Sequence, residues 1–186
     1  MQIVWENRRR GDVGNDCMVS VDGTDFRVEE TGKQWYSHKF KKAGVRYEVG
    51  LAIKTGDIVW LEGPLPCGNW PDIKIFRAAL VHYLDKDERV EADDGYIGED
   101  PATAKTPNMF TRKKEKLAIQ ARVRNRQETV NKRFKQWACL KDRFRHSTEK
   151  HSACFRAVAV LTQLSFEFGM PLFSVAEYDD DDEINL

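Results

Sequence analysis

Three acidic side chains stand where they could do chemistry together: Asp22 in VSVDGTDF, Asp93 in VEADDGY and Glu128 in RNRQETVNKRFK. Carboxylate oxygens are hard ligands that suit Mg²⁺, and converging carboxylates can hold such ions for in-line attack on a phosphodiester. A polyanionic substrate also needs basic surface nearby. The chain of 186 residues is neutral overall, with 30 Lys/Arg and 30 Asp/Glu. Between Arg112 and Arg156, however, fifteen Lys/Arg stand against four Asp/Glu, a local +11 balanced by −11 elsewhere. Charges are screened over about 8 to 10 Å, so the local balance sets the field at a groove. The residue types and their charge setting point to metal-dependent nuclease chemistry.

The elements that must position these groups follow from periodicity. Residues 1–16 are polar and read as a lead-in. Cys17 to Glu29 alternates as a strand, with Asp22-Gly23 ending or bulging it. Tyr47 to Lys54 and Asp57 to Leu61, separated by Thr55-Gly56, read as a hairpin. Gly63 to Trp70 reads as a loop from its Gly and Pro content. Pro71 opens an amphipathic helix with Ile73, Phe76, Leu80 and Leu84 on one side. Arg89 to Ala92 is a short strand that delivers Asp93 at its end, and Asp100 to Thr111 reads as a loop.

Lys113 to Phe144 reads as one long helix or two abutting ones, buried through Val130, Phe134, Trp137 and Phe144. At about 100° per residue, Glu128 lies far round from Val130 and shares a polar face with Arg124, Asn131 and Lys135. Glu149 to Phe168 is a final helix, apolar at Phe155, Val158, Leu161, Leu164 and Phe168. The tail YDDDDEINL is too acidic to fold and reads as disordered. Strands, hairpin, helix, strand and two helices in that order imply a three-layer α/β domain with a mixed sheet over residues 17–170, followed by an acidic tail over 171–186.

These residues also carry a family likeness. From about Met18 to Phe168 the chain resembles the DDE-superfamily nuclease domain of PIF/Harbinger-type transposases and their bacterial insertion-sequence relatives. The matching motifs are the apolar-Asp-Gly-Thr around Asp22; Gly68, Pro71, Asp72 and Phe76; Asp93, Gly95 and Tyr96; and Arg124, Glu128 and Lys135 on a helix. Ala121 stands where the family has Tyr, and Trp70 where His is common. The resemblance implies an RNase H-like fold, a mixed sheet flanked by helices. It also implies a metal-dependent DNA endonuclease with Asp22, Asp93 and Glu128 as catalytic metal ligands for Mg²⁺ or Mn²⁺.

Other charged groups receive quieter readings. Arg124, Lys135 and Lys132 are the candidate DNA contacts, the first two as phosphate grips, while Lys132 is also spaced to pair with Glu128 at i,i+4. Arg122, Arg126 and Arg133 read as diffuse attraction for DNA. Strand alternation turns Asp94 and Asp25 away from the site, and Asp72 reads as capping or lining the first turn of its helix. His146 and His151 are poorly spaced for shared ligation, and the four cysteines lack a CxxC pair and read as reduced and mostly buried.

No apolar run is long enough to span a bilayer, so no membrane partner is expected. Few residues precede Asp22, so the expectation is a nuclease domain without its own N-terminal DNA-recognition region, relying on a separate DNA-binding partner protein, with oligomers allowed. A DNA substrate places it in the nucleus, with the cytoplasm as the alternative. The competing expectation is a truncated or domesticated remnant that binds DNA or protein without cutting.

Overall fold

The computed structural model describes residues 3–11, 15–107 and 114–175. Six strands form one mixed sheet: β1 (Cys17–Arg27), β2 (Tyr36–Ser37), β3 (Lys42–Ala52), β4 (Ile58–Pro66), β5 (Arg89–Ala92) and β6 (Ala104–Lys105). β3 pairs antiparallel with β1 on one side and with β2 and β4 on the other; β5 runs parallel to β1, and β6 parallel to β5. Among the described residues four α-helices accompany the sheet: α1 (Asp72–Ala78), α2 (Lys114–Phe134), α3 (Ala138–Lys141) and α4 (Thr148–Glu167).

Alternation along β1 and β3 divides the core. Phe26, Val45, Tyr47, Val49 and Leu51 pack with Val130, Phe134, Phe155 and Val158 of α2 and α4. Val19, Val21, Ala52, Val90 and Ala92 pack with Phe76 of α1, Leu80 and Tyr96 on the opposite face. The sheet therefore has helices on both sides, as its parallel portion requires.

Several elements depart from the sequence expectations. Asp22-Gly23 neither ends nor bulges β1; both residues pair in register with Val49 and Glu48. Gly63 to Pro66 belongs to β4 rather than to a loop. β4 pairs only with β3, and an edge strand tolerates proline because its free side needs no N–H donor. The loop after Asp100 contributes the two-residue β6. The helix opened by Pro71 ends at Ala78, and Leu80–Tyr83 forms a separate 3₁₀ turn.

The basic region breaks after Phe134. On one straight helix Leu140 would point about 120° away from Phe134. The break lets both enter the same cluster, and Phe144 then bridges to Val28 of the chain leaving β1. Trp137, Leu161 and Phe168, expected inside, are exposed at 44%, 45% and 80%. Residues Trp5–Arg9, within the expected lead-in, form a 3₁₀ turn packed on the domain. Buried Arg8 pairs with Glu88 and Asp85, and Trp5 sets its ring edge-on to Trp60.

His151 is fully buried, its Nδ1 2.8 Å from the Tyr47 hydroxyl, and burial holds its pKa down to about 4. His146 is exposed. All four cysteines are free thiols: Cys17 and Cys67 are buried, Cys154 is half-buried and Cys139 is exposed. Among the described residues no helix is long and apolar enough to cross a membrane. Of residues 171–186, read from sequence as an acidic disordered tail, 176–186 lie outside the described residues, whereas Val175 is buried with Cys17, Ile53 and Val123.

Candidate active site

The parallel pairing of β1 with β5 places the first two carboxylates side by side. Val21 pairs with Ala92, so Asp22, the next residue of β1, and Asp93, the residue just after β5, each follow one member of that pair. Asp93 follows β5 and caps the 3₁₀ turn Asp94–Tyr96, its Oδ1 accepting the Gly95 N–H at 2.8 Å. Asp94 is exposed on that turn. It is kept from the site by the turn, not by strand alternation as the sequence reading had it.

α2 supplies the third wall. Gln120, Gln127 and Asn131 lie within about 40° of one another on a helix. Gln120 donates to Glu91 Oε1 at 2.7 Å and Gln127 to the Val49 carbonyl at 2.6 Å, while the Ser20 hydroxyl donates to Gln127 at 3.3 Å. Asn131 Nδ2 donates to Asp22 Oδ2 at 2.7 Å. This amide stripe stitches α2 across β1, β3 and β5 and brings Glu128 and Arg124 beside the two aspartates. Ser20, Asp22, Glu91, Asp93, Arg124 and Glu128 line one cleft of about 90 Å³. That volume holds an ion with a few waters and excludes a nucleotide, so a nucleic-acid strand would cross its mouth.

The electrostatics of the cleft are unequal. Burial, then the charges of Asp93 and Asp72, raise the Asp22 pKa to about 7, with Lys39 and the Gly23 N–H opposing. Glu128 sits at the rim with 66% of its side chain exposed, and Lys132 Nζ lies 3.9 Å from its carboxylate. Glu48, fully buried on the other face of the sheet, is raised to about 8 by burial although Trp60 and Tyr96 donate to it.

Asp72 lies in the first turn of α1, one of the two places the sequence allowed it. It does not cap α1, whose N-cap is Pro71. Its carboxylate packs against Gly23 and Gly95, outside the lining of the cleft, and forms an ion pair with Arg46 at 3.4 Å. Burial raises its pKa to about 6; Arg46 opposes this, while Asp93 and Asp25 add to it. Asp25 points away from the cleft, as expected. It accepts from Arg46 at 2.7 and 3.1 Å and from Ser37 at 2.8 Å, and against the effect of burial these donors hold its carboxyl below the usual range.

The basic residues divide in a way the charge count hides. Arg124 lines the cleft, and Lys132 is 78% exposed. Lys135 lies just past α2 with Nζ 5.5 Å from the Phe26 ring, and burial together with Lys39 lowers its pKa. The other three differ in exposure: Arg126 is withdrawn from solvent, Arg133 is half-buried and Arg122 stays exposed. Arg126 is buried and donates to the Ala52 and Ile53 carbonyls. Arg122 donates to the Ser174 carbonyl, and Arg133 to the Met170 carbonyl while stacking on Phe166. Sequence does not reveal these bonds because the carbonyl partners lie 37 to 74 positions away.

A divalent cation fits this donor set. Hard carboxylate oxygens line a small cleft, Asp22 is held in a setting that resists ionisation, and Asp72 Oδ1 is buried without a hydrogen-bond partner. Among the described residues no three His, Cys, Asp or Glu side chains are gathered around one ligating point. No family model matches the chain, and no curated protein or solved structure is significantly similar to it.

Proposed function

We propose that this chain is a metal-dependent DNA endonuclease domain of the PIF/Harbinger type, with an RNase H-like fold, hydrolysing phosphodiesters and competent in principle for strand transfer. The observation that carries this reading is that Asp22, Asp93 and Glu128, borne on three separate elements, line one cleft together with Arg124. The reading is supported by the first Asp standing on the first strand and the Glu on a helix, as the resemblance implies, while the second Asp follows a later strand instead of lying on it.

Asp22, Asp93 and Glu128 would hold Mg²⁺ or Mn²⁺. Such ions supply an activated oxygen nucleophile and stabilise the leaving oxygen. Asn131 keeps Asp22 turned toward α2 by its hydrogen bond to Oδ2. Arg124 presents a charge at the cleft suited to a phosphate oxygen. Arg124, Lys132 and Lys135 address phosphate rather than base edges, so target choice would rest on a separate DNA-binding protein. A DNA substrate implies action in the nucleus.

The test is nicking of supercoiled plasmid in Mg²⁺. Asp22→Ala, Asp93→Ala and Glu128→Ala should each lower the rate at least about a hundredfold, the scale of losing a charge partner of the transition state. EDTA should abolish nicking. Activity that survives EDTA, or survives all three substitutions, would overturn the reading.

One observation favours a second reading, a domain that binds DNA or protein without cutting. The Glu128 carboxylate projects to solvent and pairs with Lys132, as a surface helix pair would. Salt-sensitive DNA binding with no nicking in either metal would select it.

A further inference from the structure

We propose that Asp72 is a fourth working carboxylate of this site, carried on α1 and admitted by the glycines that follow Asp22 and Asp93, where it helps to hold a divalent cation. The proposal rests on the nuclease reading and extends it to a residue outside the Asp22, Asp93 and Glu128 set.

The two glycines make the case. A Cβ at position 23 would lie 1.7 Å from Asp72 Oδ1, and one at position 95 would lie 3.0 Å from both Asp72 Oδ2 and Asp93 Oδ1. Neither Gly23 nor Gly95 has the positive φ that marks Gly56 or Gly63. Backbone conformation therefore does not call for glycine at either place. Space does, and the space is filled by the Asp72 carboxylate. Asp-Gly after β1's midpoint and Asp-x-Gly after β5 thus share a purpose that neither motif reveals separately.

The charge of Asp72 is only partly answered inside the protein. Its ion-pair partner Arg46 is committed first to Asp25, its cross-strand neighbour, through two short hydrogen bonds, and reaches Asp72 at the longer 3.4 Å. Oδ1 is buried with no hydrogen-bond partner. An unpaired buried carboxylate oxygen is costly, and a residue serving architecture alone would be better neutral or fully bonded. A cation near Asp93 would supply the missing partner. Arg46 then acts as the strut that stops Asp72 from swinging away, with Ser37 steadying Asp25 behind it.

The experiment measures Mn²⁺ binding to the full chain by the electron-spin signal of free Mn²⁺, with melting temperature as the check on folding. Asp72→Asn keeps the shape and removes the charge. Gly23→Ala keeps the charge and places a methyl where Oδ1 lies. Each should raise the Mn²⁺ concentration at half-saturation at least about tenfold, the usual scale for losing a group that supports a metal site. The Mg²⁺ requirement for nicking should move in parallel, with activity recovered at high Mg²⁺.

Folded Asp72→Asn that binds Mn²⁺ like the unsubstituted protein overturns the proposal. If Asp72→Asn fails to fold, unchanged affinity in Gly23→Ala overturns it, and loss of fold in both assigns Asp72 to architecture and overturns it as well. Affinity lost in Asp22→Ala but unmoved in Asp72→Asn defeats the role of Asp72 alone. Absence of Mn²⁺ binding in the unsubstituted protein, with nicking indifferent to Asp22→Ala, defeats the nuclease reading itself.

Discussion

Asp22 holds its proton to about pH 7 because it is buried beside Asp93 and Asp72. The direction of the consequence follows from linkage. Its unfolded value is 3.8, so between about pH 4 and pH 7 the native state binds the proton and the unfolded state does not. Stability of the cation-free protein therefore falls as pH rises through that window. Asp22→Asn, which can keep an acceptor oxygen for Asn131, should flatten this slope. In EDTA at pH 8 it should be more stable than the unsubstituted protein by about 1–2 kcal/mol, discounting for partial exposure. Urea unfolding at pH 5, 6.5 and 8 measures it, and parallel slopes for the two proteins would show that Asp22 is not strained. At this scale the sequence was readable for Asp22 and Asp93, whose strand and turn settings are local. It was not readable for Asp72, because the cradle of Gly23 and Gly95 exists only once β1, β5 and α1 meet.

Among the elements, α2 departs most from what periodicity alone conveys. Its inner stripe toward the cleft is Gln120, Gln127 and Asn131, an amide row rather than an apolar one, with Val123 and Val130 burying the neighbouring side. A hydropathy pattern finds Val130 and Phe134 and leaves the amides on a face that seems open to water. The same helix turns Arg126 inward to satisfy the carbonyls of Ala52 and Ile53 at the turn between β3 and β4. Arg126→Ala should therefore cost about 2–3 kcal/mol, since it strands buried carbonyls and removes packed volume. Chemical denaturation checks the cost. A loss under about 0.5 kcal/mol would return Arg126 to the surface role that its sequence neighbourhood implies.

Over the whole molecule, one charge of the +11 of residues 112–156 is withdrawn from solvent, that of buried Arg126. Arg122, Arg126 and Arg133 hold the fold together, while Arg124 and Lys132 remain at or beside the cleft mouth. Arg124→Ala and Lys132→Ala should each lower the slope of log affinity for duplex DNA against log salt by about one. Fluorescence anisotropy between 50 and 200 mM salt, as about four points on that line, would show it. An unchanged slope in both would move the DNA path elsewhere. What the sequence by itself determined is the set of elements and their order: the alternating β1, the β3–β4 hairpin, the short β5 just before Asp93, and Glu128 on a basic helix. Those features are written in local periodicity and turn chemistry, which neighbouring residues carry between them. Only the tertiary structure decided that Asp72 packs against Gly23 and Gly95, that Glu128 faces out toward Lys132, and that three arginines donate to main-chain carbonyls. Each of these depends on a partner brought close by folding, or on exposure after packing, and no local pattern encodes either.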